Sequence, residues 1–356
     1  MLPPHYDPSP MTPRRWGPVA LGLVLAVTAA ACGGGTAARV GPPTTFPRAA
    51  EPAISPVLTS TPVGTIVATG PQAEGVAVDP STGIVAVGQS GGADLFDESG
   101  NRLAAVHLPS APRHIALAAP GGPILVPAEA SSEVGFVAEP SGSVAAFVPT
   151  GRMPHDVVAL GGTVFVGNEH DNSMTVIRKL QVIATVPVAE QPGGLATTGS
   201  DVAVVSVRAR RLQLFDATTL HQVASVAIPG GPSHVAAFGT ELYVVDTGGT
   251  HVRVFDTFPR LHLVGSVSVP RSPLGVAVDD IRGRLWITCT ATNRLVELSL
   301  DRPLPRIIGQ WPTVRQPDTL AVDTRTNTVF VVGVQPGSLE ILHEAARVRL
   351  RPVPGS

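Results

Sequence analysis

Apolar and polar positions alternate along this chain in short bursts, each closed by glycine, proline or aspartate. Typical bursts are "HVAAF", "ELYVVD", "HVRVFD" and "LVGSVSV", all between residues 234 and 269. A period of two bounded by turn residues predicts strands rather than helices. Between the first and second strand of each group sit hairpin sequences: "DPSTG", "APGG", "LGG", "TGS", "FGT", "DIRG" and "DTRTN". Their Gly, Asn and Asp residues tolerate the left-handed backbone that tight hairpins require.

The groups themselves repeat. Seven segments share a turn residue (usually Pro), two variable residues, an apolar residue, a small residue and a further turn. They are "AEGVAVD" at Ala73, "PRHIALA" at Pro112, "PHDVVAL" at Pro154, "PGGLATT" at Pro192, "PSHVAAF" at Pro232, "PLGVAVD" at Pro273 and "PDTLAVD" at Pro317. The spacings are 39, 42, 38, 40, 41 and 44 residues. A period near 40 with strand-type sequence predicts propeller blades, not helical repeats. The expected fold class is therefore all-β: a seven-bladed β-propeller of four-stranded antiparallel blades over residues 61–350, with 351–356 as a tail.

The inner strand explains the shape of the repeat. Its small position holds Ala77, Ala116, Val158, Ala196, Ala236, Ala277 and Ala321, as expected where blades converge on an axis. The preceding position holds Val76, Ile115, Val157, Leu195, Val235, Val276 and Leu320, which should pack between blades. Seven inner strands need seven outer ones. The segment "VGTIVATG" at 63–70 should supply the outer strand of the seventh blade, with the C-terminal "ARVRLR" as its competitor.

The N-terminus has a different pattern. Arg14 and Arg15 precede an apolar run from Val19 to Thr28, then Ala29, Ala30, Ala31 and Cys32. A span needs about 20 apolar residues, so this shorter run reads as an export signal over residues 1–31, with Met11 the better start. Cys32, followed by three glycines, resembles the lipidated cysteine of a bacterial lipoprotein, although Ala29 stands where that motif usually has Leu. The alternative is an ordinary signal cut after Ala31. Export by the general or the twin-arginine route is left open. Residues 32–60 carry Gly, Pro, Thr and Ala without apolar period and should form a disordered, flexible tether.

Composition narrows the function. The formal charge is −2 and the only basic run is "RARR" at 208–211, so nothing supports a nucleic-acid partner. Two cysteines exclude a disulfide framework. Cys289, at the end of a second strand, reads as a buried structural thiol.

Chemistry is expected on the face where the inner strands begin. Two residues after the turn residue stand Gly75, His114, Asp156, Gly194, His234, Gly275 and Thr319. One after it stand Glu74, Arg113, His155, Gly193, Ser233, Leu274 and Asp318. Three histidines thus fall in equivalent turns, and His114, His155, Asp156 and His234 are the candidate ligand-binding residues at the channel mouth. Imidazoles and carboxylates there suit a divalent metal, an anionic small molecule or proton transfer. The weightier competing reading makes them solvated turn residues. Blades two, three and five are not all adjacent, so a single ion reaching all three imidazoles is not implied; His114, His155 and Asp156 form the best local cluster. The loops "NEHDNS" (168–173) and "SVRARR" (206–211) place acids beside bases, either as an interaction surface or, preferentially, in mutual neutralisation.

The strand–aspartate–turn pattern of "LFDATTLHQVASVAIPGGPSHVAAF" and "VFDTFPRLHLVGSVSVPRSPLGVAVDD" resembles the YVTN-type (YncE-like, NHL-related) bacterial propellers. "VFVGN" at 164–168 and "LYVVD" at 242–246 are degenerate forms of the naming tetrapeptide. The resemblance covers residues 63–344 and implies the fold; function varies widely across it. No serine elbow, phosphate loop, CxxC or HExxH is present. The reading is an exported, monomeric lipoprotein at the outer face of the cytoplasmic membrane, held by its lipid, that acts as a ligand- or protein-binding scaffold more than as an enzyme. The alternative is a metal-dependent lyase or lactonase at the channel mouth; a third is a purely structural envelope protein. No cofactor is predicted, a divalent metal being the open candidate.

Overall fold

A four-stranded blade is apolar on both faces and can cover neither alone, so its neighbours must do so. The computed structural model describes residues 48–348 apart from 109, 111, 302 and 303. The expected signal peptide, residues 1–31, and Cys32 lie outside the described residues. Within them the chain forms seven four-stranded antiparallel sheets. Blades one to six run from inner to outer strand in chain order, as in blade five: Pro232–Phe238, Glu241–Asp246, His251–Asp256 and His262–Ser268. Inner strands contact one another in the order one to seven, and blade seven returns to blade one.

The N-terminal strand closes the ring. Thr65–Ala68 pairs antiparallel with Ser338–Leu342 as the outer strand of blade seven, with Thr65 opposite Ile341 and Ala68 opposite Ser338. The described part of the competing C-terminal segment, 346–348, lies in a short helix, Glu344–Val348. Arg347 in that helix is buried, lies 4.7 Å from the Trp286 ring centroid and donates to the carbonyls of Leu342 and Asn327.

The hydrophobic core is divided into seven clusters, one for each seam between adjacent blades. The inner strand shows why. Val76, Ile115, Val157, Leu195, Val235, Val276 and Leu320 each join the seam with the preceding blade. The next residue in each blade, Ala77, Ala116, Val158, Ala196, Ala236, Ala277 or Ala321, joins the seam with the following one. Alternation along a strand thereby becomes alternation between two neighbours.

Residues expected to continue the free tether as far as position 60 are held against the propeller from Ala49 to Pro56. Ala49 packs on the seam of blades four and five. Ala53 N–H donates to Ser272 Oγ and Ser55 N–H to Gln316 Oε1, at 2.9 and 2.7 Å. Ser55 Oγ donates to the Thr290 carbonyl, and Asn293 Nδ2 to that of Pro56. Residues 49–56, which precede position 61, are thus part of the docked unit. A chain without apolar period can dock in this way because its backbone groups and the Ser55 hydroxyl make its side of the hydrogen bonds.

Candidate functional site

In blades three to seven the start of the inner strand interrupts the ladder. In blade three Pro154 is opposite Asn168 and Asp156 opposite Gly167, so His155 bulges out. In blade five pairing passes from Pro232–Asp246 to Val235–Val244, leaving Ser233 and His234 outside the ladder. Such bulges re-aim side chains, here toward the axis. The residue before the turn has a left-handed backbone in five blades, at Gln72, Met153, Gln191, Ser272 and Gln316, which swings the chain from one blade into the next.

The freed residues form two stacked rings. The upper ring contains Glu74, Arg113, His155, Gly193, Ser233, Leu274 and Asp318, all lining a cavity of about 230 Å³ at the mouth. Below it, Asp156, Gly275 and Thr319 line a second cavity of about 150 Å³ within the channel. His114 and His234 border both cavities.

The three imidazoles meet. Ring centroids lie 4.8 Å apart for His114–His155, 4.4 Å for His114–His234 and 6.1 Å for His155–His234. One nitrogen from each can be chosen so that all three lie within 4.8 Å of one another. The convergence that blade order did not imply comes from blade four, whose Gly193 and Gly194 place no side chain between His155 and His234. A Cβ at Gly194 would stand 2.8 Å from the Ser233 carbonyl oxygen and 2.9 Å from His234 Cα. At Gly275 it would stand 2.3 Å from the Asp318 carbonyl oxygen. Glycine at these turns is thus demanded by close backbone approach, and only blades two, three, five and seven have room for a side chain at that level.

Asp156 is not part of the trio. It faces the lower cavity and accepts from the backbone N–H of Leu195 and Val157 at 2.7 and 2.8 Å. Burial outweighs these bonds and pushes its carboxyl up to about 7. The imidazoles are pushed the other way. Burial, with Arg113 and the neighbouring imidazoles, holds His114 and His155 well below the ordinary value. Burial lowers His234 to about 4, although a bond between Nδ1 and the Leu274 carbonyl opposes the shift. At neutral pH all three rings are uncharged and keep a lone pair each.

A charged frame surrounds them. Arg113 donates to Glu129 Oε1 at 2.6 Å and to Glu169 Oε2 at 2.9 Å. Gln191 Nε2 donates to the other oxygen of Glu169 at 2.6 Å. His155 Nδ1 is buried without a hydrogen-bond partner; Glu169 Oε2 comes within 3.5 Å but not in bonding geometry. Glu74 and Asp318 share the cavity, and burial raises both carboxyls, Asp318 well above its ordinary value. Glu129 and Glu169 are each the first residue after a second strand, a position that dips into the mouth; the sequence places Glu169 in the acidic loop beside "RARR", not beside Arg113.

The lid of the mouth is also new. Ala49, Ala50, Glu51 and Pro52 line the upper cavity above the histidines. Ala50 crosses blade five so closely that a Cβ on Gly231 would stand 2.6 Å from its own. The acidic and basic loops find their ionic partners elsewhere rather than in each other: Arg208 pairs with Glu190 at 2.9 Å, Asp171 with Arg152 at 2.6 Å, and Glu169 turns inward to Arg113. Cys289 is buried, and burial pushes its thiol up, as suits a structural residue.

No family model matches the chain, and no curated protein matches it by sequence. Solved structures do. Hydrazine synthase of Kuenenia stuttgartiensis superposes with a TM-score of 0.67 at 14% identity, over 82% of this chain and 100% of that one. A chain of the mitotic checkpoint complex gives 0.69 at 13%, over 85% and 99%. Virginiamycin B lyase from Staphylococcus aureus gives 0.64 at 12%, over 78% and 99%. This chain is a seven-bladed β-propeller. At these identities the likeness speaks for the fold alone.

Proposed function

We propose that the protein is a binding scaffold of the YVTN-type (YncE-like) propeller class, anchored outside the cytoplasmic membrane by lipid on Cys32, with its ligand or partner held at the histidine-bearing mouth. The observation that carries the binding role is the mouth itself. Its lining gathers Arg113, Glu74, Asp318, His114, His155 and His234 around one cavity of about 230 Å³. Burying titratable groups is costly, and clusters of them in a concavity belong to sites more often than to packing. The seams are built on continuous apolar clusters, whereas the mouth concentrates charged and titratable side chains around an open cavity, which supports a binding role for it.

The test is a thermal-shift screen of the metal-free purified chain against anionic and zwitterionic small molecules, repeated with Arg113→Ala. The expected result is one or more ligands that raise the melting temperature of the wild type and not of the variant. No ligand from the screen, together with no partner from crosslinking in the envelope, removes the binding role. The anchor is tested separately: Cys32→Ala should shift the protein from the membrane to the soluble fraction, and unchanged partitioning removes it. A lyase or lactonase would use the same imidazoles and would reveal itself by turnover of a screened ligand.

A further inference from the structure

Three neutral imidazoles packed with ring centroids 4.4, 4.8 and 6.1 Å apart have few uses for their lone pairs. Water and hydrogen-bond donors can satisfy them, but His155 Nδ1 has no hydrogen-bond partner although it is buried. His234 has its Nδ1 committed to the Leu274 carbonyl at 3.0 Å, which fixes the ring and directs Nε2 elsewhere. That arrangement, one ring nitrogen tied to a carbonyl and the other free, is how metal-ligating histidines are oriented. We infer that His114, His155 and His234 together bind one divalent transition-metal ion of the zinc class, in the upper cavity and with a fourth position open toward it. The inference rests on the mouth being a binding site and names what it binds first.

The donor set selects the ion. Imidazole nitrogen favours zinc, copper and nickel, whereas magnesium and calcium take oxygen ligands. Zinc–nitrogen bonds of 2.0–2.1 Å in a tetrahedron put ligand nitrogens about 3.3 Å apart. The nitrogens here lie within 4.8 Å of one another, so the rings must draw inward on loading. Gly193 and Gly194 present no side chain between His155 and His234 to oppose that movement. Charge is favourable as well. Arg113 is matched by Glu129 and Glu169, and Glu74 and Asp318 line the same cavity, so the dication enters a region with carboxyl groups in excess of cationic side chains, and its charge favours their ionised form. Three protein ligands with a fourth position facing a cavity is the arrangement of a site that takes water or an anionic donor from outside.

The experiment is a calorimetric titration of the detergent-solubilised full chain, stripped by chelator, with zinc chloride alone and with magnesium chloride alone. One zinc ion per chain is expected and no magnesium. His114→Ala, His155→Ala and His234→Ala should each weaken zinc binding at least about 100-fold, beyond the 10–100-fold typical of losing an outer-sphere partner. His170→Ala, on the outer loop, should leave it unchanged. Since His155 is buried, His155→Asn and the melting curve of each variant separate loss of a ligand from loss of the fold. Absence of zinc binding by the wild type, or retention of it by all three folded variants, overturns the inference. Because the ligand screen is run metal-free, hits there with no zinc binding here would leave the binding role standing and remove the metal alone.

Discussion

Two pairs of residues on the same inner strand behave in opposite ways. The third and fourth positions after the turn residue are apolar in every blade and each serves a seam. The first and second vary from glycine to histidine to carboxylate, and each serves the mouth. In blade five Val235 and Ala236 could be exchanged for their counterparts in almost any other blade; Ser233 and His234 could not. The comparison teaches that the repeat carries the fold, and that departures from the repeat carry the site.

Breaking the seam should have the largest effect. Phe330 and Phe255 are fully buried in the seams of blades seven with one and four with five. Truncation of either to Ala should cost about 3–5 kcal/mol, read as a lower denaturant midpoint. Mouth residues should cost less stability and more binding. Gly194→Ala forces a Cβ against the blade-five backbone; overpacking of this kind costs about 1–3 kcal/mol, and the displacement of His234 should abolish zinc binding. A folded Gly194→Ala protein that still binds zinc normally would sever the proposed connection between blade four and the histidines.

The opposite end of the inner strand sharpens the contrast. Asp79 accepts from Ser81 N–H and Oγ at 2.7 Å and, across the seam, from Gly121 N–H at 2.5 Å. Burial pushes its carboxyl up, but these bonds prevail and hold it below 3.8. Its contribution to stability is therefore complete above that pH and is lost as the pH falls through the lower folded value. Asp79→Ala should cost about 1–3 kcal/mol near neutrality and flatten the acid limb of stability against pH. It should not touch zinc affinity. Ser55→Ala removes one donor and one acceptor of the strap, to Thr290 and Gln316. Each is worth about 0.5–1.5 kcal/mol, and proteolysis before residue 60 should speed up while the blades stay resistant. The exposed Arg152–Asp171 pair should matter least: Arg152→Ala is expected to change stability by at most about 1 kcal/mol.

The seams were legible in sequence because period, alternation and turn residues all follow from local rules, and every apolar inner-strand residue named from the pattern lies in its seam. The mouth was half legible. His114, His155, Asp156 and His234 could be placed on one face by counting from the turn residue. Whether imidazoles from blades two, three and five touch depends on what blade four does not provide, and the "PGG" at Pro192 was the available signal. Asp156 was grouped with His114 and His155, yet the bulge turns residues 155 and 156 to different levels. The frame of Glu129 and Glu169 around Arg113 comes from three separate turns, which no local pattern connects. The strap at 49–56 was hidden for another reason: its attachments are backbone groups and the Ser55 hydroxyl, which leave no hydrophobic period to read.

The most direct test of the mouth as a three-imidazole metal centre is anomalous diffraction at the zinc edge from crystals grown with zinc. The account predicts one strong peak bounded by His114, His155 and His234, which disappears in His155→Asn crystals. Peaks confined to surface histidines such as His170, His251 or His262, with none at the mouth, would contradict it.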